Sequence, residues 1–126
     1  MSKTRMPNVE LILHSSILMV EAMAGSLGLV PTRFVQKGTT KRPGATPARF
    51  NVFVFSDCTA GDQPDAEDLV KNMLPQLHNL PSIYSQLDYA TISVRADRMH
   101  GGSGFYLSCE TLRNLGALGL GLEVLL

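Results

Sequence analysis

Apolar residues recur at every second position near the start of the chain and predict a strand there. Between residues 8 and 14 the alternating positions are Val9, Leu11 and Leu13, the two-residue period of a half-buried strand. The same period returns over 89–96, and several shorter apolar runs are bounded by glycine, proline or polar residues. The predicted strands are therefore 8–14, 32–36, 50–55, 89–96, 105–107 and 122–126.

Three segments with helical patterns separate these strands. Ser15 or Ser16 is predicted to cap a first helix over 17–27, which ends at Gly28. Because this segment is apolar on almost all sides, we expect the first helix to be buried on more than one side. A second helix begins at Pro64 and is ended or kinked by Pro75, with a short turn over 80–87, and a third follows Ser108 over 112–118.

The order βαββαββαβ predicts an α+β fold in a single domain, residues 1–126. Its first six elements form a ferredoxin-like βαββαβ unit, and the last three extend it by a C-terminal βαβ. We expect an antiparallel or mixed sheet with helices on one face. If the alternation holds, the open face carries Glu10, Ile12, His14, Phe53, Phe55, Tyr89, Arg95 and Tyr106.

Composition narrows the classes of protein. The chain has 126 residues, 44% of them apolar, and its formal net charge is zero, which argues against a protein built mainly to hold nucleic acid or an anionic membrane. No apolar run is long enough to cross a bilayer. The two cysteines, Cys58 and Cys109, have no disulfide-framework spacing. We therefore expect a cytoplasmic location.

Candidate chemistry is sparse. Cys58 has no local histidine signature that would activate a thiol, and the histidines and cysteines lack the short spacings of a zinc site. The sequence thus predicts no catalytic residue, metal or cofactor, and leans away from an enzyme without excluding one.

The leading hypothesis is a binding module, a homodimer, that engages a protein partner or a small molecule. It acts through the open sheet face and the 37–48 loop, where glycines and a proline mark a long exposed turn. Candidate ligand-binding residues are His14, Arg95, Tyr106 and Glu10, and candidate partner or loop residues are Phe53, Phe55, Lys37, Lys41 and Arg42.

Two alternatives stay open. A small enzyme would use His14 with Arg95, Tyr106 or Glu123 in a groove over the sheet. An RNA-binding domain would use the RNA-recognition-like topology, the aromatic third strand and the acid-free basic stretch between Glu21 and Asp57. The third strand lacks the small residues of the RNA-recognition signature.

Several segments also resemble a known family. These are Leu-Gly-Leu-Val-Pro-Thr over 27–32, Lys-Gly over 37–38, an amphipathic helix, and Gly-Phe-Tyr-Leu-Ser over 104–108 leading to 115–126. Together they resemble the bacterial family called domain of unknown function 4279, over nearly the whole chain. That family has no assigned function, so the resemblance implies no catalytic residue.

Overall fold

A five-stranded sheet and short helices make up the structure, a computed structural model that describes residues 9–56, 66–95 and 106–125. In chain order the strands and α-helices are β1 Val9–Ser15, α1 Val20–Leu27, β2 Arg33–Val35, β3 Asn51–Ser56, α2 Ala66–Met73, β4 Tyr89–Arg95, α3 Cys109–Ala117 and β5 Gly121–Leu125. Two 3₁₀ helices, Leu74–Leu77 and Leu80–Gln86, lie between α2 and β4. None of the helices in these ranges is long and apolar enough to cross a lipid bilayer.

The strand order is β2-β3-β1-β4-β5, with β1 at the centre. Strand β1 pairs antiparallel with β3 on one side and with β4 on the other. Strand β2 pairs antiparallel with β3, and β5 pairs parallel with β4. The sheet is therefore mixed and the predicted α+β class is confirmed, while the ferredoxin-like assignment stays a prediction.

One face of the sheet is covered by the helices. Val9, Leu11 and Leu13 of β1 are fully buried and belong to one apolar cluster with residues of all three α-helices. The other face is the open face, which carries Glu10, Ile12 and His14. Val54 lies on that face opposite Ile12 and, although buried, stands outside the apolar cluster.

Phe53 and Phe55 lie on the covered face, so the prediction that they belong to the open face is wrong. Phe53 is opposite Leu13, and Phe55 is opposite Leu11. Because directly opposed residues in a ladder point to the same side of the sheet, both rings enter the core. Their exposures are 0% and 7%. Strand β3 is apolar on both faces, so its pattern could not decide which face is covered.

The first helix also differs from its prediction. It begins at Val20 rather than at residue 17, and its N-cap Met19 makes no side-chain capping bond. Within α1 only Met23 and Leu27 are buried, so this helix buries one side and not several. Apolar composition overstated the burial because Met19 and Ile17 precede the helix and remain exposed.

The predicted fifth strand, 105–107, is not a strand at Tyr106 and Leu107, and Phe105 lies outside the described residues. Two predicted helix-end signals are nevertheless confirmed, although α3 begins at Cys109 rather than at residue 112. Gly28 ends α1 at a φ of 71°, and the Ser108 side chain caps α3 by accepting a hydrogen bond from the Thr111 N–H.

Helices α2 and α3 are joined at that cap. The Ser108 N–H donates to Glu67 Oε1 at 2.9 Å, so a carboxylate of α2 satisfies a backbone donor at the start of α3. Hydrogen bonds from Ser108 lower the pKa of Glu67 below its usual value.

Pro75, as predicted, ends the α-helical geometry of the second helix and lies in the first 3₁₀ helix.

The position of Phe53 gives a direct test of the sheet register. We expect Phe53→Ala to lower the free energy of unfolding by about 3–5 kcal/mol, because it removes a fully buried ring and leaves a cavity. Tyr89→Ala, at a side chain that is 58% exposed on the open face, is the control and should cost much less. Urea unfolding measures both, and equal losses would contradict the register.

Candidate functional site

The 37–48 loop is folded back on itself by backbone hydrogen bonds. The Gly38 N–H donates to the Ala48 carbonyl at 2.8 Å, and the Ala48 N–H donates to the Thr39 carbonyl at 2.9 Å. At the tip the Ala45 N–H donates to the Arg42 carbonyl. Pro43 and Gly44 occupy the centre of that turn, and a φ of 83° at Gly44 fits a type II turn. The loop is thus a hairpin-like extension beyond β2 and β3.

Between this extension and β2 lies a cavity of about 570 Å³, which we call the loop cleft. Phe34 forms part of its wall and is 37% exposed. The ring of Phe34 stacks on that of the buried Phe53, with 5.2 Å between centroids and 27° between planes. The lining residues of the loop cleft are Phe34, Val35, Gln36, Thr39, Lys41, Arg42, Ala45, Thr46 and Ala48.

Asn51 fixes the base of the loop. Its Oδ1 accepts a hydrogen bond from the Lys37 N–H at 2.7 Å, and its Nδ2 donates to the Leu18 carbonyl at 3.0 Å. Asn51 is 4% exposed, and loss of either bond would leave a buried polar group unpaired. The side chain therefore ties the start of the loop to the turn that follows β1.

Ser15, opposite Asn51 in the sheet, organises that same turn. Its hydroxyl donates to the Gln86 carbonyl at 2.5 Å and accepts from the Ile17 and Leu18 N–H groups. Ser15 was predicted as a possible helix cap, but it caps the turn before α1. Two buried polar side chains thus hold the loop, the turn and the end of the second 3₁₀ helix together.

The cations of the acid-free stretch are not equivalent. The Arg33 guanidinium pairs with the Glu10 carboxylate at 3.0 Å, and that of Arg49 lies 5.9 Å from the centroid of the Phe50 ring. Lys37 Nζ donates to the Ser16 carbonyl at 3.5 Å. Within the described part of the chain, the side chains of Lys41 and Arg42 have no hydrogen bond or ion pair. Both of them line the loop cleft.

A second feature, the aromatic cluster, occupies the open face beside the end of β1. The rings of His14, Phe50 and Tyr89 meet edge to face in all three pairs, with centroids 5.6 to 5.7 Å apart. His14 Nδ1 is buried and has no hydrogen-bond partner among the described residues. Burial lowers the pKa of His14 below its usual 6.5, against the opposing influence of the Asp88 and Glu123 carboxylates.

Two of the four residues predicted to bind a ligand, His14 and Arg95, lie far apart along the sheet. His14 is opposite Tyr89, at the start of β4, whereas Arg95 ends that strand. Six residues of strand separate the two positions by about 20 Å. The Arg95 side chain lies outside what the structure describes. Glu10 is bound to Arg33 and to the Ser56 hydroxyl, and Tyr106 is 73% exposed outside any strand.

A smaller cavity of about 380 Å³ lies in the helical layer. Its walls come from α2, the first 3₁₀ helix and α3, and they carry charges of both signs: Lys71, Leu74, Pro75, His78, Glu110, Asn114, Ala117 and Leu118. His14 lines neither this cavity nor the loop cleft. Across residues 9–56, 66–95 and 106–125, no group of three or more potential metal-ligating side chains is clustered.

The sequence predicts the loop with Lys37, Lys41 and Arg42, without separating Lys37, which reaches the Ser16 carbonyl, from the other two, and it does not predict Phe34. That ring lies on a three-residue edge strand, too short for alternation to assign a face. A usable signal was present in the chain: an aromatic residue three positions before a Lys-Gly turn. Phe50 was missed as a ring contact of His14 because the predicted strand 50–55 was given Phe53 and Phe55 on the open face.

The lowered pKa of His14 predicts a specific pH dependence of stability. The unfolded chain takes up this proton near pH 6.5, and the folded protein takes it up only at lower pH. The free energy of unfolding should therefore fall as the pH drops below about 6.5, and level off below the folded-state pKa.

Urea unfolding from pH 8 to pH 5 measures this effect. The loss of stability on acidification should be smaller in His14→Gln than in the unchanged protein. His78→Gln, at an exposed histidine, is the control and should keep the full loss. Identical pH profiles for His14→Gln and the unchanged protein would contradict the assignment.

Comparisons with known proteins identify the family alone. No curated protein and no solved structure gives a significant match to the chain. A family model described as a domain of unknown function (DUF4279) matches residues 2–126, which is essentially the entire sequence. On that match, which agrees with the resemblance of its Leu-Gly-Leu-Val-Pro-Thr and Lys-Gly segments, the chain belongs to the DUF4279 family.

Proposed function

We propose that this protein is a non-enzymatic binding module that holds a small organic ligand in the loop cleft. The observation that carries the proposal is the composition of the cleft wall. Ligand sites are concave, measure about 300–1,000 Å³, and combine an apolar lining with a few polar groups. The loop cleft has about 570 Å³, an exposed aromatic ring and apolar neighbours, and two cationic side chains.

The construction of the loop supports the same proposal. A binding site needs side chains whose positions are set before the ligand arrives. The turn at Pro43 and Gly44 and the hydrogen bonds between Gly38, Thr39 and Ala48 give the loop a defined backbone path. Asn51 anchors its base from inside the protein.

The other functional hypotheses have less support. The enzyme alternative needs groups that converge on His14, and among the side chains that the structure describes Glu123 is the predicted partner whose charge acts on the His14 pKa. The RNA alternative needs a run of free cations, and three of the five between residues 33 and 49 already have a partner. Both stay predictions, as does the cytoplasmic location.

Fragment binding tests the proposed site. We expect a screen of small aromatic fragments to give hits that shift the backbone amide signals of residues 34–39, 45, 46 and 48 in ¹⁵N-resolved NMR spectra. Ala45→Trp fills the cleft and should weaken these hits at least about tenfold, equivalent to about 1.4 kcal/mol.

Ala22→Trp, on the exposed side of α1, introduces the same side chain away from the cleft and should leave binding unchanged. Hits that map to other residues, or the absence of any hit in the cleft, would overturn the proposal. Unchanged amide spectra outside 34–48 would show that Ala45→Trp remains folded.

We further propose that the protein forms a homodimer. Strand β5 ends the sheet, its outer edge has no strand partner within the described ranges, and Leu122 and Val124 are exposed there. Unpaired backbone groups on such an edge can pair with a second copy. Light scattering at increasing concentration should approach twice the monomer mass of 13.7 kDa. A constant monomer mass at high concentration would refute the dimer.

A further inference from the structure

We infer that the ligand of the loop cleft is an amphipathic anion: an apolar body containing a ring, with one carboxylate, sulfonate or phosphate group. This inference rests on the proposed function and specifies the chemical class that the site would select. Three observations carry it. The charged residues that line the cleft are all positive, they have no polar partner among the described residues, and an aromatic ring forms part of the wall.

The charge at the cleft is entirely positive. Among its lining residues Lys41 and Arg42 are cationic, and none is acidic. No acidic residue occurs in the chain between Glu21 and Asp57, so the loop and its two flanking strands contribute no carboxylate of their own. A single anionic group held between an ammonium and a guanidinium forms charge-assisted hydrogen bonds, which are stronger than neutral ones.

The structure also separates these two cations from the others of the same stretch. Arg33 is held by Glu10, Arg49 lies over Phe50, and Lys37 reaches a backbone carbonyl. The side chains of Lys41 and Arg42 remain without a polar partner among the described residues. Within the described stretch between Glu21 and Asp57, the two cations without a polar partner thus line the same cleft, which fits a single anionic group better than the extended backbone of a nucleic acid.

The apolar lining residues select the rest of the ligand. Phe34 is backed by the buried Phe53 ring, so its position is supported from the core. Val35, Ala45 and Ala48 add apolar surface and no charge. An aromatic body fits this wall because ring contacts contribute beyond simple burial of apolar area. The lining of the cleft therefore combines apolar side chains with two cationic ones.

A pair of nearly isosteric probes tests the charge preference. We expect 2-naphthoate to bind at least about tenfold more tightly than its neutral analogue 2-naphthamide, measured by NMR titration or calorimetry. In Lys41→Gln/Arg42→Gln the preference should fall to about one, while the dissociation constant of 2-naphthamide stays the same. Phe34→Ala should weaken both probes.

The matched control is Lys71→Gln/Arg113→Gln, which removes two exposed cations from the helical layer and changes the net charge equally. It should keep the preference for naphthoate. Equal affinity of the unchanged protein for the two probes would overturn the anionic class and leave the proposed function standing. Loss of preference in the control instead would refute the assignment to Lys41 and Arg42.

Failure of the proposed function would give a different result from failure of the anionic class. In that case neither probe nor any fragment would shift the backbone amide signals of the cleft residues. A short single-stranded oligonucleotide, such as an eight-residue oligouridylate, completes the set. Binding of this oligonucleotide more tightly than naphthoate, with dependence on Arg42, would overturn the small-ligand class in favour of nucleic acid.

Discussion

The antiparallel register of β1 against β3 is the constraint on which the rest of the structure depends. It pairs Leu13 with Phe53 and His14 with Val52, and a shift of one residue would exchange the two faces of the strand. In the observed register the two rings of β3, Phe53 and Phe55, enter the core. The open face then receives the smaller Val52 and Val54, together with His14 and Glu10. The backing of Phe34 by Phe53, and hence the wall of the loop cleft, follows from the same pairing.

At the end of the β1–β3 ladder lie two buried polar side chains whose polar atoms have hydrogen-bond partners. Ser15 and Asn51 are opposite each other, and between them they bond five backbone groups of neighbouring segments. Such buried networks are stabilising only when each member has a partner. Because Asn51 reaches into the start of the loop and into the turn after β1, the position of the cleft is linked to the packing of the sheet. The loop therefore belongs to the folded unit rather than being an appendage to it.

The sequence was informative where a local rule decides the structure. The Ser108 cap, the stop at Gly28 and the break at Pro75 each depend on a few adjacent residues, and each was predicted. The faces of β3 could not be predicted, since Phe53 and Val54 are both compatible with burial and only the pairing with β1 separates them. Ser15 was misassigned for a related reason, because a serine before an apolar segment can cap a turn or a helix. Phe34 was missed because its strand has three residues and no readable period.

The candidate site shows how pairing determines which charges are free to act. Composition gives five cations between residues 33 and 49 and a net charge of zero, and neither count distinguishes among them. The fold distinguishes these cations, because Glu10 on the central strand lies beside Arg33 of the edge strand and the Phe50 ring lies beneath Arg49. The ion pair engages one cation of the stretch and the ring contact another, so the cations without a polar partner among the described residues lie where no acid is present. The loop tip then offers two cations beside an exposed ring, because its acid-free sequence follows the short edge strand that carries Phe34.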